Sequence, residues 1–224
     1  MSDSAFDVYA KHKSIPPHEG AAGHEHHAPI SEHDSGPPSA YEVMSRAMQE
    51  LLEAKGLITA DQVRRRMELF DREFPYRGAR VIAHAWVDAG FKQRLLEDGK
   101  AACAEMGLDL EADRLIAVEN TPDVHNVIVC TLCSCYPRAL LGMPPTWYKS
   151  RSYRSRVVFE PRAVLKEFGT VIPEHVTVRV HDSTANMRYV VIPMRPEGTE
   201  GWSEERLTDI LTRDTLVGVT VPRV

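Results

Sequence analysis

Three of the chain's four cysteines lie within six consecutive residues, in the stretch VCTLCSCYP. Any fold of this chain has to accommodate the thiols of Cys130, Cys133 and Cys135 in one short segment, with only Ser134 between the last two. In a reducing compartment such a cluster indicates metal binding or redox chemistry rather than a structural disulfide. The composition of the chain indicates which compartment applies.

The composition is that of a globular protein, since 224 residues with 43% hydrophobic side chains are enough to bury a core. The net charge is −5 and no basic block stands out, so we expect no nucleic-acid partner. No apolar run approaches the roughly 18 residues of a membrane span, and the N-terminus lacks a signal-peptide pattern. We therefore expect a cytoplasmic protein with no membrane partner, whose thiols stay reduced.

The first 39 residues differ from the remainder of the chain, because they are rich in proline and poor in large apolar side chains. We predict a disordered tail at 1–39, which is either a solvated segment or a loose metal-binding tether. The remaining chain divides into 40–112, a helical arm with further helices, and 113–224, an α/β metal-binding catalytic domain. Six of the ten histidines lie in the tail: His12, His18, His24, His26, His27 and His33.

Helical periodicity begins at Tyr41, where apolar residues recur every three or four positions as far as Leu52. Thr59 and Gln62 resemble a capping box that opens a second helix, which we expect to end before Pro75. Further helices are predicted at 80–86 and in the segment that ends at Gly107. Within that last segment Cys103 is expected to be a buried, inert thiol.

The second half of the chain changes to the period of strands. LIAVEN and HNVIVCTL are predicted strands, and the second leads directly into the cysteines. VTVRVHDS and RYVVIPM are predicted to form a strand pair around a turn at Asp182–Asn186, and helices are predicted at Pro161–Phe168 and Ser203–Arg213. The predicted fold class is α+β, with a helical N-terminal arm followed by a layered α/β metal-binding domain.

Two common cysteine sites leave part of the pattern unused. A closed zinc site needs four nitrogen or sulfur ligands, and only three thiols are local. His125 could complete the set, but at the start of a strand it is expected to be paired or exposed. A Cys-x-x-Cys redox couple of Cys130 and Cys133 leaves Cys135 unexplained.

The spacing Cys133-Ser134-Cys135 offers a different donor set. The backbone nitrogens of Ser134 and Cys135 lie between the two sulfurs, and chelation through them forms rings of favourable size. If these amides lose their protons, two sulfurs and two nitrogens form a square plane, Cys130 can reach one axial position, and the other axial position stays open. Such strong ligands suit a trivalent, low-spin, octahedral transition metal, and the resulting anionic site should attract arginines such as Arg138.

These residues make the chain similar to a known family. VCTLCSCYP resembles the metal loop of the nitrile hydratase α-subunit. The resemblance continues through HAWVDAGFKQRLLEDG, VENTPDVHNVIVC, LGMPPTWYKS, YRSRVV, RYVVIPMRPEGTEGWSEERL and TRDTLVGV, and so from about residue 41 to the end. Thr131 and Tyr136 resemble the residues of the cobalt branch of the family. The iron branch typically has serine and threonine at these two positions.

The resemblance implies a ligand set and its chemical state. It implies one noncorrinoid Co(III) per α-subunit, bound by the sulfurs of Cys130, Cys133 and Cys135 and by the amides of Ser134 and Cys135. It also implies that Cys133 is a sulfinic acid and Cys135 a sulfenic acid, while Cys130 remains a thiolate.

The resemblance further implies an activity and partners. A small nitrile would be hydrated to its amide, with Cys135 either attacking the nitrile carbon or activating the water, and with Ser134 contributing its amide and a hydrogen bond. A β-subunit would supply arginines and close the pocket in an αβ unit, expected to pair as α2β2. A cobalt-insertion activator is a further expected partner.

Some residues depart from the nitrile hydratase pattern. The family usually has tryptophan where this chain has Arg138, and commonly an aromatic residue at His181. Arg138, the His-rich N-terminus and the sequence RPEGT are similar instead to the γ-subunit of thiocyanate hydrolase, which has the same cobalt loop, whereas the upstream region favours the nitrile enzyme. A non-catalytic metal-binding or redox protein, such as a cobalt chaperone, is a third alternative, against which the match across the C-terminal half argues.

Overall fold

The structure, a computed structural model, describes residues 37–38, 40–110 and 114–224, and it does not describe the side chains of residues 68–74. Nearly all of the tail predicted at 1–39 lies outside these ranges. Among the described residues, no helix combines the length and the hydropathy that crossing a bilayer requires.

Helices make up the first half of the described chain. Thr59 and Gln62 form the predicted capping box: the Gln62 amide donates to the Thr59 hydroxyl at 3.1 Å, and the Thr59 amide donates to the Gln62 side chain at 2.8 Å. These paired bonds fix the start of the second helix. The helices are α1 (Ala40–Ala54), α2 (Ala60–Val87), α3 (Ala89–Glu97) and α4 (Gly99–Glu105).

The prediction that the second helix ends before Pro75 is wrong. One helix, α2, continues through Pro75 as far as Val87 and includes the segment predicted as a separate helix at 80–86. Proline removes one hydrogen bond from a helix interior, but burial can outweigh that loss. The C-terminal part of α2 supplies this burial, because Val81 and Ile82 are both fully buried in the core.

Strands and short helices alternate in the second half. The predicted helices near 161–168 and 203–213 are present, although the second is divided into two short helices. The elements are β1 (Arg114–Glu119), β2 (Val124–Val129), α5 (Arg138–Leu141), α6 (Thr146–Lys149), α7 (Arg151–Phe159), α8 (Pro161–Glu167), β3 (Thr177–Asp182), β4 (Met187–Ile192), α9 (Glu204–Asp209) and α10 (Arg213–Val217).

The strands form two parallel pairs among the described residues. β1 pairs with β4, and β2 pairs with β3 in a register that joins Val124 to Thr177 and Val129 to Asp182. The predicted pairing of β3 with β4 around a turn is therefore wrong, although both strands exist. The link at 183–186 passes the chain from one sheet to the other. The predicted α+β class is confirmed.

The core lies between these sheets and the helices around them. Cys103 of α4 is fully buried there, and burial raises the pKa of its thiol to about 12, as expected of an inert cysteine. The fully buried large side chains of the core are Phe91, Leu95, Ile82, Ile128, Leu140, Leu141, Tyr148, Tyr153, Leu165, Ile192, Leu207 and Leu216.

Gly218, which ends α10, lies against the backbone of β2. Its φ is +89°, and a Cβ at this position would lie 2.1 Å from the carbonyl oxygen of Asn126. Gly107 is a matched control, because its φ is +75° but a Cβ there would meet nothing within 4 Å.

We expect Gly107→Ala to lower the free energy of unfolding by about 1–2 kcal/mol, the usual cost of a left-handed alanine. Gly218→Ala should lower it by at least about 3 kcal/mol, because β2 must also move. Chemical denaturation of both variants measures the difference. Equal losses would contradict the close approach of Gly218 to β2.

Candidate metal centre

The cysteine loop begins where β2 ends. Val129 is fully buried, and Cys130, the next residue, is 1% exposed, whereas Cys133 is exposed and Cys135 is half-buried. The loop therefore starts inside the core, turns outward to the surface and returns to α5. Along this path the first cysteine is buried, the second is exposed and the third is half-buried.

The three thiols converge on one point. The Cys130 and Cys133 sulfurs are 3.3 Å apart, and the Cys133 and Cys135 sulfurs are 3.2 Å apart. All three lie within 4.8 Å of one another. A disulfide has its sulfurs about 2.05 Å apart, so these are free thiols at the spacing of ligands to one ion.

The pKa values of Cys133 and Cys135 are shifted in opposite directions. Burial opposes ionisation of Cys133, but hydrogen bonds from Cys135 and Cys130 and from the amides of Cys135 and Ser134 outweigh it, and the pKa of Cys133 is lowered. Burial and the neighbouring thiols raise the pKa of Cys135 to about 12, although Arg188 acts in the opposite direction. Three thiolates so close together therefore require a cation.

Both ends of the loop are fixed by groups outside it. Asp182, at the end of β3, accepts hydrogen bonds from the Thr131 amide at 2.9 Å and from the Thr131 hydroxyl at 2.6 Å. Arg154 donates to the Thr131 carbonyl at 3.3 Å, and the Tyr148 hydroxyl donates to the Cys135 carbonyl at 2.9 Å. Between these anchors, the backbone amides of Ser134 and Cys135 act to lower the pKa of the Cys133 thiol.

The donor set fits the metal predicted from the spacing. Three sulfurs lie together as that donor set requires, and Ser134 and Cys135, whose amides belong to the predicted set, lie in the same loop. His125, which could have completed a zinc site, is not part of this thiol cluster. The Nε2 of His125 is 2.7 Å from the Gly218 carbonyl oxygen, and its Nδ1 is 3.3 Å from the side-chain nitrogen of Asn120. The expectation of a paired histidine is therefore confirmed.

A cleft of about 410 Å³ opens beside the loop. Arg138, which the sequence placed next to the loop, is exposed on its wall, and Arg188 of β4 forms another part of it. The Tyr136 hydroxyl is buried and has no hydrogen-bond partner among the described residues. The cleft is lined by Leu110, Leu115, Cys133, Ser134, Cys135, Tyr136, Pro137, Arg138, Ala139, Leu140, Ala185 and Arg188.

The sequence analysis missed Asp182 and Arg188. Both lie on predicted strands, and Asp182 also falls in the turn predicted at Asp182–Asn186. The available signal was a charged residue at the end of one predicted strand, Asp182, and another at the start of the next, Arg188. This signal points to the metal loop only when the parallel pairing of the strands is known. Asp182 reaches the loop because β3 pairs with β2, and Arg188 reaches the cleft because β4 belongs to the other sheet.

Known proteins similar to this chain were found by sequence. Residues 39–220 match a family model described as nitrile hydratase, alpha chain. The low-molecular weight cobalt-containing nitrile hydratase subunit alpha of Rhodococcus rhodochrous is 48% identical over 190 residues, which cover 83% of this chain and 92% of the relative. Thiocyanate hydrolase subunit gamma of Thiobacillus thioparus is 41% identical over 197 residues, with coverage of 83% and 81%.

A solved structure agrees with these matches. A double mutant of the Fe-type nitrile hydratase from Comamonas testosteroni Ni1 has a TM-score of 0.74 and 40% sequence identity to this chain, and the alignment covers 84% of this chain and 92% of the other. The family match includes the helical first half, the cysteine loop and the strands that hold it. The chain therefore belongs to the nitrile hydratase α-chain family.

Proposed function

We propose that this chain is the α-subunit of a cobalt nitrile hydratase, a hydro-lyase that adds water to a small nitrile and yields the amide. The observation that carries this proposal is the convergence of three thiol sulfurs within 4.8 Å beside the amides of Ser134 and Cys135. The names of cobalt-containing relatives favour cobalt as the metal.

Five donors of this chain would hold one noncorrinoid Co(III). They are the sulfurs of Cys130, Cys133 and Cys135 and the backbone nitrogens of Ser134 and Cys135. When bound, the ion supplies a Lewis acid that makes the carbon of a nitrile electrophilic. Cys130 would hold the ion from the buried side of the loop, because it follows β2 directly and is 1% exposed.

Cys135 and Ser134 are the residues to which we assign the chemistry. Both line the cleft, and Cys135 is held through its carbonyl by Tyr148. As a sulfenic acid, Cys135 would either attack the nitrile carbon or accept a proton from the attacking water. Ser134 would orient this group through a hydrogen bond, and the guanidinium of Arg188 would offset negative charge on the Cys135 sulfur.

A β-subunit is the expected partner in an αβ unit that pairs as α2β2. Two exposed surfaces of this chain support the proposal. None of the side chains of α1 is buried, and the cleft exposes Cys133 and Arg138 to solvent. A second chain over these surfaces would exclude water from the cleft, and a cobalt-insertion activator would load the ion.

Thiocyanate hydrolase is the second candidate, because two arginines line the cleft with the cysteines. Arg138 and Arg188 would attract a small anion such as thiocyanate. The apolar part of the cleft favours the nitrile enzyme, because a nitrile needs an apolar wall for its substituent. That part is formed by Leu110, Leu115, Ala139 and Leu140.

Purified αβ complex should contain about one cobalt per αβ unit and retain it against chelators, because low-spin Co(III) exchanges ligands slowly. The tryptic peptide that spans the loop should carry a sulfinic acid at Cys133, a sulfenic acid at Cys135 and an unmodified Cys130. Elemental analysis and mass spectrometry without reductant measure both properties. Stoichiometric zinc would overturn the cobalt assignment, and three unmodified thiols in active enzyme would overturn the role of Cys135.

Alanine at Cys130, Cys133 or Cys135 should reduce the cobalt retained after chelator treatment by at least about tenfold, because each removes a ligand. Cys103→Ala is the matched control, since Cys103 is fully buried in the core and should leave cobalt content as it is. Elemental analysis of each purified complex makes the comparison. Full retention by any of the three loop variants would remove that cysteine from the ligand set.

The complex should hydrate a small neutral nitrile with a kcat/KM at least about tenfold above that for thiocyanate hydrolysis. Arg138→Trp should lower thiocyanate turnover more than nitrile turnover, because it removes a charge that acts on the anion alone. Arg151→Trp, at an exposed arginine outside the cleft, is the control for a general effect of tryptophan. A preference for thiocyanate in the unmodified complex would select the second candidate.

A further inference from the structure

Four polar side chains on or next to the strands that lead to the metal loop form a continuous hydrogen-bonded row. The His181 Nε2 lies 2.8 Å from the Asn126 Oδ1, and the Asn126 Nδ2 lies 3.0 Å from the Asn120 Oδ1. The Asn120 Nδ2 lies 3.3 Å from the His125 Nδ1, whose ring reaches the Gly218 carbonyl through Nε2 at 2.7 Å. We call His181, Asn126, Asn120 and His125 the histidine relay.

Backbone groups fix the proton positions at one end of the relay. The Gly218 carbonyl can only accept a hydrogen bond, so the Nε2 of His125 must carry a proton. The backbone amide of Asn126 can only donate, and it lies 2.8 Å from the Asn120 Oδ1. The NH2 group of Asn120 is therefore the part that faces His125, and the Nδ1 of His125 accepts its hydrogen bond.

The same reasoning fixes the other end. The Asn126 Nδ2 lies 2.8 Å from the carbonyl oxygen of Glu119 as well as 3.0 Å from the Asn120 Oδ1, and both oxygens only accept. The Asn126 Oδ1 therefore faces His181, whose Nε2 must be the donor. Every bond of the relay runs in the same direction, from His181 towards Gly218.

We propose that the histidine relay holds both imidazoles as the neutral Nε2–H tautomer and that its members are positioning residues for the metal loop. Reversal of one amide would place two donors or two acceptors face to face at the next bond. The relay therefore has one stable arrangement, whose direction is set by the Asn126 amide and by the carbonyls of Glu119 and Gly218.

The relay connects the elements from which the loop extends. Glu119 ends β1, Asn126 lies on β2, and His181 on β3 precedes Asp182, which holds Thr131. The ring of His181 also packs on Tyr189 of β4, with ring centroids 5.1 Å apart. One chain of hydrogen bonds thus joins the two parallel sheets through β2, the strand that leads into the cysteines.

The surroundings of both rings favour the neutral form. Burial lowers the pKa of His125, against an opposing contribution from the Gly218 carbonyl. Burial also lowers the pKa of His181, and the positive charge of Arg179 on the same strand adds to this effect. His181 also contacts the side-chain amide of Asn126 and the ring of Tyr189, and neither group is an anion at neutral pH.

Nitrogen NMR of 15N-histidine-labelled αβ complex tests the tautomers. His125 and His181 should keep the Nε2–H pattern between about pH 5 and 8, the range in which an ordinary histidine titrates. Free 15N-histidine in the same buffer serves as the reference for a titrating imidazole. Signals are assigned by single substitution of each histidine. A proton on Nδ1, or protonation of either relay ring in this range, would overturn the proposal, and this test depends on neither the metal nor the substrate.

Two variants of His181 test the positioning role. His181→Gln keeps a donor for Asn126 but loses the ring, whereas His181→Phe keeps a ring beside Tyr189 but loses the donor. We expect His181→Phe to lower the thermal midpoint by about 3 °C more than His181→Gln, because the Asn126 oxygen loses its partner. His175→Phe, at an exposed position, is the control.

The optical spectrum of the metal centre separates positioning from stability, because it reports the geometry of the ligands. His181→Phe should shift the sulfur-to-metal band and lower kcat for a nitrile by about threefold to tenfold, since small displacements of reacting groups are costly. His181→Gln should remain close to the unmodified enzyme in both. The kcat arm rests on the proposed function and the spectrum rests on the metal that it includes, whereas the NMR and thermal-midpoint arms rest on neither. Variants that both match the unmodified complex, or a larger effect of His181→Gln, would overturn the positioning role.

Discussion

The parallel pairing of β2 with β3 is the contact on which the site depends. Because Val129 is opposite Asp182, both strands end at the same edge, and the residue after β2 is the buried cysteine. Asp182 then lies within hydrogen-bonding distance of both polar groups of Thr131. A slip of one residue would turn Asp182 to the other face of the sheet and leave the loop without its anchor.

Much of this architecture could be predicted from the sequence, because the signals are local. The capping box at Thr59 and the strands around the cysteines are set by neighbouring residues, and the apolar helical sequence around Cys103 is enough to indicate its burial. The strand partners could not be predicted, because parallel pairing joins segments about fifty residues apart. The continuation of α2 through Pro75 depends on burial against distant elements, and the position of Arg188 in the cleft depends on the choice of sheet.

The loop combines a rigid backbone with an unfavourable charge arrangement. The anchors at Thr131 and Cys135 hold a loop in which the thiols lie close together, and the pKa values of Cys133 and Cys135 move in opposite directions there. A cation removes this conflict, because all three sulfurs can then be thiolates. The free energy of ion binding thus includes the relief of repulsion that the fold itself imposes.

The exposure of α1 determines how this chain behaves before it is assembled. An isolated helix of 15 residues is marginal in water, and α1 gains no buried side chain from its own chain. Its apolar face is formed by Tyr41, Val43, Met44, Met48 and Leu51, which are all more than half exposed. Chains synthesised in excess over whatever covers this face would present it to proteases and to one another. The half-life of this chain in a cell should therefore depend on the ratio in which it and the chain that covers α1 are synthesised.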